Sequence, residues 1–479
     1  MPLPRLVGFP EVCQNYRYFT SKRGSSPNRC GRRRGSSEEG PAGGVVVKTF
    51  DQIIPELRDI LRAHAGVIQR IAPVYVNRDL NGRVRLVISA AWQSDDEVSA
   101  VLAVVAQTIH EKLGRHAYPL EQALLYESNI ESVVLGAPIF GLEDVPGVWL
   151  IDRLATQSNW STIAPAASTG ASRIVFFSIK GGVGRSTAIA ATAWSLAQVG
   201  KRVMVLDLDL ESPGLSTSLL PVDRRPKFGI TDWLVEDLVD NGEEVLESMV
   251  ASSGLSHDGD IFVVPAHGAD SGEYVAKLGR AWMPKVTSEG RESWSQRLQR
   301  LTTMLEERWS PDVILIDSRA GIDEVASACV TDLGANLVLL FALDGDQTWS
   351  GYRILFQHWR TTGVVREIRE RLQIVGALIP ELGGAEYVDS LRQEAWSLFA
   401  EELYDEVAAG TTATGDTWSF DSADEGGPHF PWTIRWNRGF NSLRTVHSRL
   451  HGIDMAEVRT VFGQVIEGVS SVVEGEVYL

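Results

Sequence analysis

The chain has 479 residues, 44% hydrophobic and 22% charged, with a formal net charge of −17. That balance suits a soluble globular protein with a sizeable core, at a length of roughly three domains. No apolar run reaches the ~18 residues a membrane helix needs, and no hydrophobic signal core follows Met1, so the expectation is a cytoplasmic protein without direct membrane insertion.

Residues 1–44 carry eight Lys/Arg against three Glu, net +5, which leaves −22 on the remainder. This Arg-, Ser-, Gly- and Pro-rich start has no periodicity and reads as a disordered basic tail. The acidic body is repelled by nucleic-acid phosphates, which argues against direct DNA binding. Residues 45–154 read as a small α+β domain. "FDQIIPELRDILRAHAGVIQRI" has helical spacing and "RVRLVISA" reads as a strand. "SDDEVSAVLAVVAQTIHEKLG" reads as a helix with an N-cap serine and a closing glycine, and "PGVWLIDRL" as another strand. No catalytic constellation falls there, so a docking or regulatory role is the expectation. "ATQSNWSTIAPAASTGAS", 155–172, reads as a small-residue linker.

From Arg173 short apolar runs alternate with amphipathic helices: "RIVFFSI", "RVMVLDLDL", "IFVVPA", "DVILIDS", "NLVLLFAL" and "QIVGALIP". Near-continuous apolar strands are buried on both faces, which predicts a mostly parallel sheet covered by helices on both sides, over 173–450. Residues 451–479 complete the chain as a helix and tail, and the helix is acidic on its polar side, unlike a membrane-surface helix. Cys13, Cys30 and Cys329 suit neither a disulfide framework nor a tetrahedral metal site. His447 and His451 stand at i, i+4 spacing without a third ligand nearby.

In such sheets, sites lie past the carboxyl ends of the strands. After the first strand comes "KGGVGRST", Lys180 to Thr187. Gly181, Gly182 and Gly184 let backbone N–H groups approach phosphate oxygens. Val183 lies between them. The helix that follows adds its N-terminal dipole, and the Ser186 hydroxyl is placed to ligate Mg²⁺. Asp207, Asp209 and Asp317 follow two further strands, where acids hold Mg²⁺ or orient an attacking water. The strict pattern G-x-x-x-x-G-K-[ST] fails twice, with Ile179 for its glycine and Arg185 for its lysine.

"KGGVGRS" resembles the lysine-first (deviant Walker A) loop K-G-G-x-G-K-[ST] of the MinD/ParA family of P-loop ATPases, which does not require glycine at position 179. "DLDL" is similar to that family's second acidic motif, and "LIDSRAGID" to its Walker B and switch region. The resemblance spans roughly residues 173–450. It implies ATP and Mg²⁺ as ligands and a nucleotide-dependent homodimer that acts through protein partners. Lys180 would be the signature lysine reaching the partner's phosphates. Asp209 would orient the hydrolytic water, and Asp207, Asp317 and Ser186 would support Mg²⁺. Pro380, in "GALIPEL", would fall at the adenine pocket, and "PWTIRWNRGFNSL" would close it. Arg185 keeps the positive charge but is planar and longer than lysine, so binding is expected to survive and the phosphoryl-transfer geometry to change. Two alternatives stay open. One is a nucleotide-binding scaffold without hydrolysis. The other is a phosphotransferase resembling the bacterial tyrosine kinases, disfavoured because only Tyr478 is near the end.

Overall fold

A computed structural model describes residues 49–134, 137–156, 159–255, 258–288, 290–406, 417–440 and 443–475. The basic tail, residues 1–44, and Tyr478 lie outside them.

The first unit is a five-stranded mixed sheet built from β1 (Val74–Arg78), β2 (Val84–Ser89), β3 (Leu124–Glu127), β4 (Ile139–Gly141) and β5 (Val148–Asp152), in the order β3-β2-β1-β5-β4. Val74, Val76, Leu86, Ile88, Val148 and Leu150 alternate along the strands and bury against helices Ile53–Ala63 and Asp96–Leu113. Asp95, rather than the expected serine, caps the second helix and accepts from Val98 N. Either side chain supplies the oxygen that an N-cap needs; Asp95 stands one position closer to the first turn. Arg78 and Asp152 close the lower end of β1 and β5 with paired hydrogen bonds of 2.8 and 2.6 Å. Strands β1, β3 and β4 are additions to the sequence reading: short runs such as "VYVNR" carry too few residues to show a period.

The second unit is an eight-stranded sheet of β6 (Ser172–Ser178), β7 (Arg202–Asp207), β8 (Ala251–Ser252), β9 (Asp260–Val264), β12 (Val313–Ala320), β13 (Leu337–Ala342), β14 (Leu372–Ile379) and β15 (Trp432–Arg435). A hairpin, β10 (Lys285–Thr287) and β11 (Gly290–Glu292), stands apart from it. The order is β15-β14-β13-β6-β12-β7-β9-β8, and every pairing is parallel except β8 with β9. Alternate residues feed two separate cores. Val175, Phe177, Ile314, Ile316 and Leu340 pack on one face, with helices Trp294–Trp309 and Asp346–Thr362. Ile174, Phe176, Val203, Leu315 and Leu339 pack on the other, with Arg185–Gln198 and Met455–Glu474. This two-sided burial is what the unbroken apolar runs require. The C-terminal helix is thus part of this unit's core: Val458, Phe462, Val465 and Val469 are buried in it.

The expected linker is laid onto the second unit. Trp160 is 7% exposed and packs on Phe177 and Trp359, with ring centroids 6.1 and 6.4 Å away. The backbone of this segment is pinned at Ala164 N to Thr331 O (2.7 Å) and at Ala167 N to Gly334 O (3.0 Å). Small residues permit this close approach; composition alone could not tell a strap from a tether.

Candidate functional site

The site forms where β6, β7 and β12 end side by side. Residues 179–184 turn from β6 into helix Arg185–Gln198. Gly182 and Gly184 have φ of 76° and 86°, a left-handed conformation that a side chain would strain. Gly184 is also the residue that opens the helix. Ile179 stands where other phosphate loops carry glycine, and its side chain has a use. It packs against Gly351 in helix Asp346–Thr362 so closely that a Cβ on Gly351 would meet it at 2.3 Å.

The loop opens onto a cavity of about 570 Å³ lined by Gly181 to Thr187, Asp209, Ser212, Arg319, Ala320, Leu378, Trp436 and Phe440. That volume is in the range of small-molecule sites. Asp207 and Asp317 lie beneath it, each 1% exposed, paired in register across β7 and β12. The Ser186 hydroxyl donates to Asp317 Oδ2 at 2.6 Å. A bulge in β12 between Asp317 and Ala320 breaks the ladder there and re-aims the chain after Asp317, a common device beside sites. It sends Arg319 to the cavity wall, where it pairs with Glu211 (2.6 Å) and Asp323 (3.1 Å).

Burial dominates the electrostatics of the three acids. It pushes Asp317 up to about 6 against the pull of Arg185. It raises Asp207 well above the ordinary carboxylate range, with the charges of Asp317 and Asp209 adding to it. Asp209 is raised too, chiefly by burial and in spite of Arg185. The backbone N–H groups of Gly214 and Ser216 face the Asp207 carboxylate and favour its charged form, although neither reaches a hydrogen bond of ordinary geometry. An acid-rich floor with a serine hydroxyl beneath an open cavity suits a hard divalent cation, which takes oxygen ligands and keeps several waters. Among the described residues the acids form no group of three that could hold a metal by themselves; Ser186, Asp317 and Asp207 fit Mg²⁺ as a partial set of oxygen ligands, with phosphate and water oxygens to complete it.

Arg185 is only 7% exposed. Its Nη1 donates to Ser178 Oγ. Its Nε lies 3.5 Å from Asp317 Oδ1 and its Nη2 3.9 Å from Asp209 Oδ2. Of the other sequence candidates, Lys180 is exposed beside the loop, off the cavity wall, and makes no ion pair among the described residues. Pro380 follows β14 but is not on the wall; Leu378, two residues earlier, is. Leu378 has a positive φ of 54°, an outlier for a branched side chain, next to a register shift between β14 and β15. Trp436 and Phe440 come from "PWTIRWNRGFNSL", which was expected to close the pocket without an assigned residue. Arg319 and Ser212 were missed: neither breaks a pattern, although Arg319 lies within "LIDSRAGID" and Ser212 lies two residues past "DLDL". His447 and His451 belong to no group of three metal-ligating side chains among the described residues.

A parallel sheet with a glycine loop entering a helix, and acids at the ends of the two neighbouring strands, defines a P-loop NTPase. A family model described as "ParA: NUBPL iron-transfer P-loop NTPase" matches residues 171–233. Over that stretch, which is far less than half of the chain, this chain is similar to that family. It is 57% identical over 78 residues to "Putative arsenical pump-driving ATPase 1" of Aquifex aeolicus (strain VF5), a stretch covering 15% of this chain and 20% of that relative. The septum site-determining protein MinD complexed with Mg-ADP, from Pyrococcus horikoshii OT3, overlaps 64% of this chain and all (100%) of its own, at 16% identity and a TM-score of 0.38. A ParA solved on nonspecific DNA, from pNOB8, overlaps 64% of this chain and 98% of its own, at 17% identity and a TM-score of 0.39.

Proposed function

We propose that this chain is an ATP-binding, Mg²⁺-dependent, ATP-hydrolysing switch that works through protein partners in the cytoplasm. The observation that carries the reading is the floor of the cavity, where the Ser186 hydroxyl and the buried Asp317 and Asp207 lie directly under a glycine loop at a helix N-terminus. Backbone N–H groups of Gly181 to Thr187 hold the phosphates. Ser186, Asp317 and Asp207 would hold Mg²⁺, which when bound would supply positive charge against the transferring phosphoryl group. Asp209, on the cavity wall, orients the attacking water. Leu378, Trp436 and Phe440 form the apolar wall that receives the base. Lys180, exposed and uncommitted, reaches the phosphates of a second copy. No helix among the described residues is long and apolar enough to cross a membrane. The net −22 outside residues 1–44 disfavours DNA as the direct partner, which leaves the first unit as the docking surface.

A second reading, a scaffold that holds ATP without spending it, is favoured by one feature: Arg185 already engages Asp209 and Asp317. Single-turnover hydrolysis separates the two readings. Asp209→Ala should lose ~10²–10⁴-fold in rate while still binding ATP. Unchanged turnover would remove Asp209 from the mechanism, and absence of turnover in the wild-type protein would leave the scaffold.

A further inference from the structure

Arg185 does more than substitute for a lysine. Its guanidinium meets three groups in three directions: Ser178 Oγ through Nη1, Asp317 through Nε and Asp209 through Nη2. Only a planar fork of donors reaches all three at once; a lysine ammonium is a single point. Ser178 in turn donates to the carbonyl of Lys180 at 2.8 Å, so Arg185 is linked through one hydroxyl to the start of the phosphate loop. The two contacts with acids are different in kind. At 3.5 and 3.9 Å they are ion pairs, and neither Arg185 Nε nor Asp317 Oδ1 makes a hydrogen bond. The attraction is substantial in a buried setting yet not fixed by hydrogen-bond geometry. Among the described residues, Arg185 is also the sole ion-pair partner of both Asp317 and Asp209.

We infer that Arg185 is an internal counter-cation. In the nucleotide-free site its guanidinium stands on Asp317 and Asp209 in place of a divalent cation, so free metal is kept out until nucleotide phosphates draw the guanidinium away. The arriving phosphates supply the competing anion, the released Asp317 becomes free to hold Mg²⁺ with Ser186 and Asp207, and the released Asp209 turns to the attacking water, so metal and nucleotide enter together. Release of Arg185 also removes the donor to Ser178 Oγ, the hydroxyl that donates to the Lys180 carbonyl. This rests on the reading of the cavity as an ATP site.

The test is Mn²⁺ titration of the nucleotide-free full chain, with free Mn²⁺ read by electron paramagnetic resonance. Wild type should bind Mn²⁺ weakly. Arg185→Gln, which removes the cation and keeps a polar side chain, should bind it at least ~10-fold tighter. Arg185→Lys should fall between the two, because one ammonium covers one acid at a time. Adding Asp317→Asn to Arg185→Gln should abolish the gain. Unchanged or weaker Mn²⁺ binding by Arg185→Gln overturns the inference. If that variant does not fold, Arg185→Lys decides by the same criterion. Binding of a fluorescent ATP analogue to wild type is measured alongside. Its failure would sink the ATP reading, whereas analogue binding together with unchanged Mn²⁺ affinity would sink the counter-cation alone.

Discussion

Single carboxyls withdrawn from water decide much of this molecule's chemistry, and the half-buried Asp332 shows how. It lies at the end of the wide helical turn Ala328–Asp332 and accepts from Thr331 Oγ1 at 2.8 Å. Burial pushes its carboxyl up to about 6 from an ordinary 3.8. The folded state therefore keeps this proton over a pH range where the unfolded chain has lost it. Stability from this group thus falls as pH rises from ~4 to ~6 and is flat above that. Asp332→Asn is permanently neutral. Relative to wild type, it should gain on the order of 2 kcal/mol between pH 4 and pH 8, measured by urea unfolding at both values. A difference that does not change with pH would mean that Asp332 ionises normally. None of this could be read in "ACVTDLG", where an aspartate after a threonine looks like an ordinary turn residue. Arg185 is similar: the sequence shows that it departs from lysine, but its turn toward Ser178 and Asp317 depends on strands that meet only in the fold.

At the level of elements, the phosphate loop is held from both sides. Its glycines were legible because few other residues accept left-handed backbone, and the acids were legible because each ends an apolar run. The support beneath the loop was not. Gly351 has no turn to make; it is a helix residue whose missing side chain leaves room for Ile179. Gly351→Ala removes no group from the cavity and improves helix propensity by ~1 kcal/mol. It should nevertheless weaken ATP binding several-fold, since Ile179 must shift and the loop with it. Isothermal titration gives the affinity, and unchanged affinity would show that the loop adjusts without moving its amides. Trp436 and Phe440 were hidden for a related reason. β15 is only four residues long, too short for its period to show, so the residues after it could not be placed against β14 from the sequence.

For the molecule as a whole, the exposed Lys180 sets the expectation for assembly. With ATP and the slow Asp209→Ala variant, light scattering should report twice the 52.6 kDa of one chain, and Lys180→Ala should return it to one. A monomer in both cases would confine Lys180 to its own site. The architecture of a sheet between two helical layers was legible, since six apolar runs read as buried strands. The strap at residues 159–167 was not legible, and it has a consequence for biosynthesis. Arg371 donates to the Ala164 carbonyl, a contact between residues 207 positions apart, and Trp160 rests on Trp359. At ~5–20 residues added per second, Trp160 is made roughly 10–40 s before Trp359, although Phe177 follows it within seconds. The first sheet can be complete by then, and for that interval the newly made indole has only part of its core to enter. The nascent chain thus carries a time window, set by translation rate, in which the strap lacks the later half of the surface that it packs on.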